Sequence, residues 1–312
     1  MNHLEQVFSC FPQVIQNQIN TLDPFTKQHM EEIRIYRQKE VQLFAAGRHI
    51  QLNGRISGID INNILNNLMK FSYYAYEEDL SKGFITIDGG HRVGICGKVV
   101  LEKGKVRLLR EISSLNIRHA REVVGCSDLI MQHIIDTSST SSNQSKLPLH
   151  NILIVSPPGC GKTTLLRDIA RHLSLKSYKV AICDERSEIA GMHGGMPSYQ
   201  FGSMVDVLDG CPKAEGMMML IRSMSPDVII TDEIGKTEDL DAIKTCINCG
   251  VNLITSIHGN DIDDLKRSEI YPAIENKTFT KIIFLTDQPK VGSIEDVIDV
   301  EKDIIMQEVC HD

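Results

Sequence analysis

Apolar and polar positions along the chain follow two regimes, and the change falls near residue 122. Short helical patterns broken at Pro12 and Pro24 open the first regime. Residues 32–35 and 41–46 read as strands, and Ala46-Gly47-Arg48 turns the chain into a third at 49–52. Asp60 is expected to cap a helix that carries Ile61, Ile64, Leu65 and Leu68 at helical spacing. Beyond Gly83 the pattern predicts strands at 84–88, 92–101 and 105–109, joined by turns at Gly89-Gly90 and Glu102-Lys103-Gly104. Residues 1–122 are thus expected to form an N-terminal α+β domain ending in antiparallel hairpins.

The second regime spans residues 123–312. A helix is expected near 128–135, followed by a stretch at 137–145 in which seven of nine residues are Ser or Thr. That composition supports no packing and predicts a flexible loop. From Asn151 onward, wholly apolar runs of strand length recur at 152–155, 180–183, 228–231, 253–256 and 282–285, each beside a helical pattern. Such alternation predicts a parallel sheet with helices on its faces, an α/β domain.

Composition narrows the class. The chain has 312 residues, 42% hydrophobic and 24% charged, too apolar for a disordered protein. No stretch approaches the ~20 apolar residues of a membrane span, and the N-terminus has no signal-peptide pattern. Nine scattered cysteines without a secretion signal are read as reduced thiols in a cytoplasmic protein, and the Cys246/Cys249 pair lacks the further ligands of a zinc site. The formal net charge of -8 argues against a general nucleic-acid binder. It is unevenly spread. Residues 1–122 carry 16 Lys+Arg and 13 Asp+Glu, a balance of +3, whereas the remainder carries 17 and 28, a balance of -11. Residues 92–121 hold eight basic residues against Glu102 and Glu111 alone.

The most specific motif is Ser156-Pro157-Pro158-Gly159-Cys160-Gly161-Lys162-Thr163-Thr164, between an apolar strand and a helical pattern. This is the context of a phosphate-binding loop, with Ser156 where the general motif has glycine. The residues from Pro158 to Thr164 are the expected nucleotide cradle. Its glycines let backbone N–H groups wrap phosphate oxygens, and the helix N-terminus adds partial positive charge. Lys162 is expected to reach the β- and γ-phosphates and the Thr163 hydroxyl to ligate Mg²⁺. About 70 residues on, the strand at 228–231 ends in Asp232 and Glu233, expected to hold Mg²⁺ and to polarise the attacking water, respectively. The strand at 180–183 runs into Asp184-Glu185-Arg186-Ser187-Glu188, from which Glu185 is a candidate metal ligand and Glu188 a candidate base. His258 ends a third strand as a candidate γ-phosphate sensor, and Arg222 precedes the acidic strand as a candidate phosphate contact.

These residues, in this order, resemble the secretion-type ATPases, the motors of type II and type IV secretion and of pili. A narrower likeness, to a family of proteins of endospore-forming bacteria, rests on the strings at 184–191, 206–216 and 90–95, and covers residues 30–300. The resemblance implies a RecA-like ATPase domain behind a smaller α+β domain, using ATP and Mg²⁺. It implies catalytic roles for Lys162, Glu188, Arg222, Glu233 and His258. It also implies a homo-oligomeric ring, six-fold, recruited to the membrane by anchored channel or secretion proteins on the mother-cell side. Pilus motors carry glycine where Asp232 stands, a departure that bears on how Mg²⁺ is held. In such rings an N-domain arginine reaches the neighbour's nucleotide, which makes Arg92, Arg107, Arg110 and Arg118 candidates. Two other readings stay open: a nucleic-acid-stimulated motor, although aromatics are only 5% and Trp is absent, and a nucleotide-binding scaffold with little turnover.

Overall fold

A computed structural model describes residues 3–120, 123–137 and 146–300. The chain separates into two compact units, one of residues 1–121 with Gly191–Tyr199, the other of residues 122–190 and 200–312.

The first unit is built on one antiparallel sheet. Its strands are β1 (Met30–Tyr36), β2 (Glu40–Ala45), β3 (Arg48–Arg55), β4 (Phe84–Ile87), β5 (His91–Glu102) and β6 (Lys105–Arg118), in the order β3-β2-β1-β6-β5-β4. Alternation along β1 and β2 sends Ile33, Ile35, Val41 and Leu43 into a single core. The helices Gln13–Thr21 and Gly58–Leu68 close that core with Ile15 and Ile19, and with Ile61, Ile64, Leu65 and Leu68. The second of these begins one turn earlier than its apolar spacing suggests. Ser57 is the N-cap and accepts from the Asp60 N–H, while Asp60, the third helical residue, accepts from the Ser57 N–H through its carboxylate, a capping box. Arg92 lies over the Phe84 ring, Arg107 pairs with Glu102 at 2.8 Å, and Arg110 and Arg118 are exposed.

Gly191–Tyr199 belongs to this first unit although its neighbours in sequence do not. His193 and Met196 exchange backbone hydrogen bonds of 2.9 and 3.0 Å around Gly194-Gly195, closing a tight turn. His193 Nε2 lies 2.8 Å from Asp88 Oδ1, and Lys70 also pairs with Asp88. Tyr199 packs on Gly90 so closely that a Cβ at residue 90 would lie 3.1 Å from its hydroxyl.

The second unit holds a seven-stranded sheet. Its strands are β7 (Ile152–Ser156), β8 (Val180–Asp184), β9 (Val205–Asp209), β10 (Val228–Thr231), β11 (Asn252–His258), β12 (Lys281–Thr286) and β13 (Ser293–Asp299), in the order β13-β12-β7-β11-β10-β8-β9. All neighbours are parallel except β12 and β13. Both faces are covered. Leu153, Val155, Ala181 and Ile229 enter one core, while Ile152, Ile154, Val180 and Ile230 enter the other. The helix expected near 128–135 is only the four residues Met131–Ile134. The Ser/Thr stretch at 137–145 lies outside the described residues beyond Thr137. Cys246 is buried and Cys249 exposed, both free thiols. Among the described residues no helix is long and apolar enough to cross a membrane.

Candidate nucleotide site

The loop between β7 and the helix Lys162–Leu175 is the centre of the site. Ser156 keeps a negative φ as the last residue of β7, so the position needs no glycine. Gly159 and Gly161 have φ of +84° and +80°, a conformation that L side chains resist. Gly161 is the helix N-cap and offers no side-chain acceptor, so the first-turn N–H groups have none from the cap. An anion at this N-terminus satisfies them.

Lys162 is buried and folded back. Its Nζ donates to Ser156 O at 2.9 Å, to Pro157 O at 3.0 Å and to His258 Nδ1 at 3.0 Å. Burial pushes its pKa down, with Glu233, Cys160 and Asp232 pulling the other way. A lysine ammonium only donates, so Nδ1 of His258 accepts and Nε2 carries the proton. That Nε2–H donates to Glu233 Oε1 at 2.9 Å. The other Glu233 oxygen accepts from Arg186 Nη1 at 2.5 Å, and the Glu233 backbone N–H donates to Ser256 Oγ at 3.1 Å.

Asp232 is 1% exposed. Its Oδ2 accepts from Thr163 Oγ1 at 3.3 Å, and its Oδ1 is buried without a hydrogen-bond partner. The pKa is pushed up to about 6, first by burial and then by the charges of Asp184, Glu188 and Glu233. A buried carboxylate that is short of one partner and crowded by negative charge fits a divalent cation. A hydroxyl beside it matches how Mg²⁺ sits in P-loop proteins, where two protein oxygens and the phosphates suffice.

The acids after β8 have separate positions. Asp184 is fully buried and accepts from the backbone N–H of Glu188 at 2.9 Å and of Ala190 at 2.8 Å, so it folds the turn. Arg167, from the helix after the loop, holds the same turn through the carbonyls of Glu188 and Ile189, both at 2.7 Å. Glu188 stands where its charge reaches Asp232. Among the described residues Glu185 has its hydrogen bond with Lys213, accepting at 2.5 Å, and none with Thr163 or Asp232. Burial works upward on its pKa, but the Lys213 hydrogen bond and charge outweigh it and hold the value low. Arg222 is also apart. It is exposed on the last turn of the helix Lys213–Met224, which leads into the start of β10 rather than its acidic end. Asp227, a candidate partner for it, pairs with Lys146 at 2.6 Å instead. Arg186 and Ser256 contact Glu233 but carry no motif of their own. The sequence signal available was their placement at strand ends that converge on one crevice.

The parallel sheet, the loop and the preceding antiparallel unit define the fold of a secretion-type P-loop ATPase. The ATPase DotB of Yersinia pseudotuberculosis shares it with a TM-score of 0.61 at 17% identity, over 96% of this chain and 82% of that one. The pilus retraction motor PilT, solved with bound ADP, gives 0.60 at 15% identity, over 92% and 86%. Residues 2–305 match the family "Sporulation stage III, protein AA", and the chain belongs to it. The stage III sporulation protein AA of Bacillus subtilis (strain 168) is 40% identical over 311 residues, 98% of this chain and 97% of that protein. The uncharacterized protein ycf45 of Porphyra purpurea is 31% identical over 183 residues, 58% of this chain and 30% of that one.

Proposed function

We propose that the chain is a Mg²⁺-dependent ATPase that works as a homo-oligomeric ring, six-fold, in endospore formation. The observation that carries this reading is the pairing of Asp232 with Thr163 at the mouth of the phosphate loop, with one Asp232 oxygen unpartnered. Thr163 and Asp232 would hold Mg²⁺, which neutralises phosphate charge when bound. Lys162 leaves the carbonyls of Ser156 and Pro157 for the phosphates. The residues from Pro158 to Thr164 enclose those phosphates with backbone N–H groups. Glu233 takes the proton of the attacking water, Glu188 adds a second carboxylate nearby, and His258 follows the γ-phosphate. The ADP in the PilT structure supports an adenine nucleotide. Arg110 and Arg118, exposed on β6, are two of the N-unit arginines that face outward toward a neighbouring subunit. The work of the ring is to drive or assemble a membrane-bound export apparatus, to which anchored partners recruit it on the mother-cell side.

Steady-state phosphate release tests the assignment. Glu233→Gln is expected to lower kcat by about 10²–10⁴, the span of a lost general base. Release at the wild-type rate removes Glu233 from the chemistry. The scaffold reading has one observation in its favour: both Glu233 oxygens already accept hydrogen bonds. ATP bound without measurable turnover would decide for it.

A further inference from the structure

A general base needs a lone pair aimed at its water; each Glu233 oxygen accepts one hydrogen bond, which leaves one lone pair on each but fixes where those lone pairs point. One oxygen faces the Arg186 guanidinium and the other faces His258 Nε2–H. The residue holds this pose with φ at +48°, a region costly for a side-chain-bearing residue, and Ser256 Oγ pins its N–H. The constraint continues through His258 to Lys162, whose three protons are taken by Ser156 O, Pro157 O and His258 Nδ1. An unbroken hydrogen-bonded chain therefore runs Arg186–Glu233–His258–Lys162. It joins the group that must meet the phosphates to the group that must meet the water.

The two ends of this chain differ. When Lys162 turns to a phosphate, His258 loses its donor and its hold on Glu233 is free to rearrange. Nothing in that movement displaces Arg186. Arg186 projects from the turn at 184–188, which Asp184 and Arg167 lock independently of the nucleotide. It is also 54% exposed, within reach of groups outside the site.

We propose that Arg186 is a positioning residue that restrains Glu233 in a resting orientation, so that hydrolysis is held back after nucleotide has bound. The proposal rests on the ATPase reading. The restraint is one partly exposed ion pair, so its removal is worth about a threefold to fivefold rise in kcat. An anionic group arriving from outside the site would release it by competing for the guanidinium.

The test compares full-length wild type, Arg186→Ala, Arg186→Gln and Arg186→Lys in ATP turnover with Mg²⁺, beside equilibrium ATP binding. The two uncharged variants are expected to raise kcat about threefold to fivefold with KM unchanged. Lysine is expected to restore the wild-type rate, and Arg186→Ala with Glu233→Gln to be inactive. Turnover at or below wild type in both uncharged variants overturns the restraint. So does ATP binding without hydrolysis in all the proteins, which leaves nucleotide binding standing. Failure of every protein to bind ATP removes the ATPase reading and the restraint together.

Discussion

Replacing Asp232 by asparagine is expected to strengthen the metal-free protein while damaging its use of Mg²⁺. The carboxyl pKa is raised from 3.8 to about 6, by burial first and then by Asp184, Glu188 and Glu233. Each pKa unit corresponds to about 1.4 kcal/mol, so the ionised carboxylate weakens the folded state by about 3 kcal/mol above pH 6. The direction follows from the protons bound. Between pH 3.8 and about 6 the folded protein keeps a proton that the unfolded chain has released, so stability falls as pH rises. Asparagine keeps the shape, removes the charge and still accepts from Thr163. In EDTA at about pH 7.5 the variant is expected to unfold about 6 °C above wild type, at ~2 °C per kcal/mol for a chain of this size. The gain should vanish near the unfolded pKa of 3.8. With Mg²⁺ and ATP at about a hundred times Kd, wild type gains ~2.7 kcal/mol and the variant much less. Differential scanning calorimetry across pH, with and without Mg²⁺-ATP, reads all of this. A variant less stable than wild type in EDTA, or a gain that ignores pH, refutes the picture of an overcharged site awaiting a cation.

Asp168 behaves in the opposite way. Each of its oxygens takes two hydrogen bonds, from Gly125 N and Arg171 Nε, and from Ser127 N and Oγ. Burial raises its pKa, but those bonds outweigh it and hold the value below 3.8. Its stabilisation is therefore complete above that pH and lost as pH falls. In urea titrations at neutral pH, Asp168→Asn should cost about 3 kcal/mol, since its amide N–H must face donors. An unchanged midpoint contradicts the network. In the first unit, Arg110→Glu is expected to weaken self-association with a non-hydrolysable ATP analogue in sedimentation velocity. Arg107→Glu should do less, because Arg107 is already paired with Glu102. Wild-type sedimentation of both removes the basic hairpin from assembly.

The features legible in the sequence share one property: their meaning is local. β7, β8, β10, β11 and β12 are apolar on both faces, and the buried runs announce them. The edge strands β9 and β13 escaped notice because VDVLD and SIEDVID mix acids with apolar residues and are half exposed. The phosphate loop was readable because backbone geometry dictates its spacing. Asp184 and Glu185 were not separable by spacing, since one turns inward to fold its own turn and the other meets Lys213 from a different helix. Arg186 was least legible. Its partner is 47 residues away, and only the parallel pairing of β8 with β10 brings the two strand ends side by side.

The nine residues Gly191–Tyr199 give the chain an order of assembly. The chain passes out of the first unit after residue 121, returns to it at 191 and leaves again after 199. At ~5–20 residues per second, a ribosome delivers residue 191 roughly 4–14 s after residue 121. Until then Asp88 has no His193 beside it, and the Gly90 surface has no Tyr199 on it. Completion of the N-terminal unit thus waits for synthesis of the phosphate loop and its helix. A fragment cut at residue 121 would lack part of its own structure, and its complement would carry a segment whose seat had been removed.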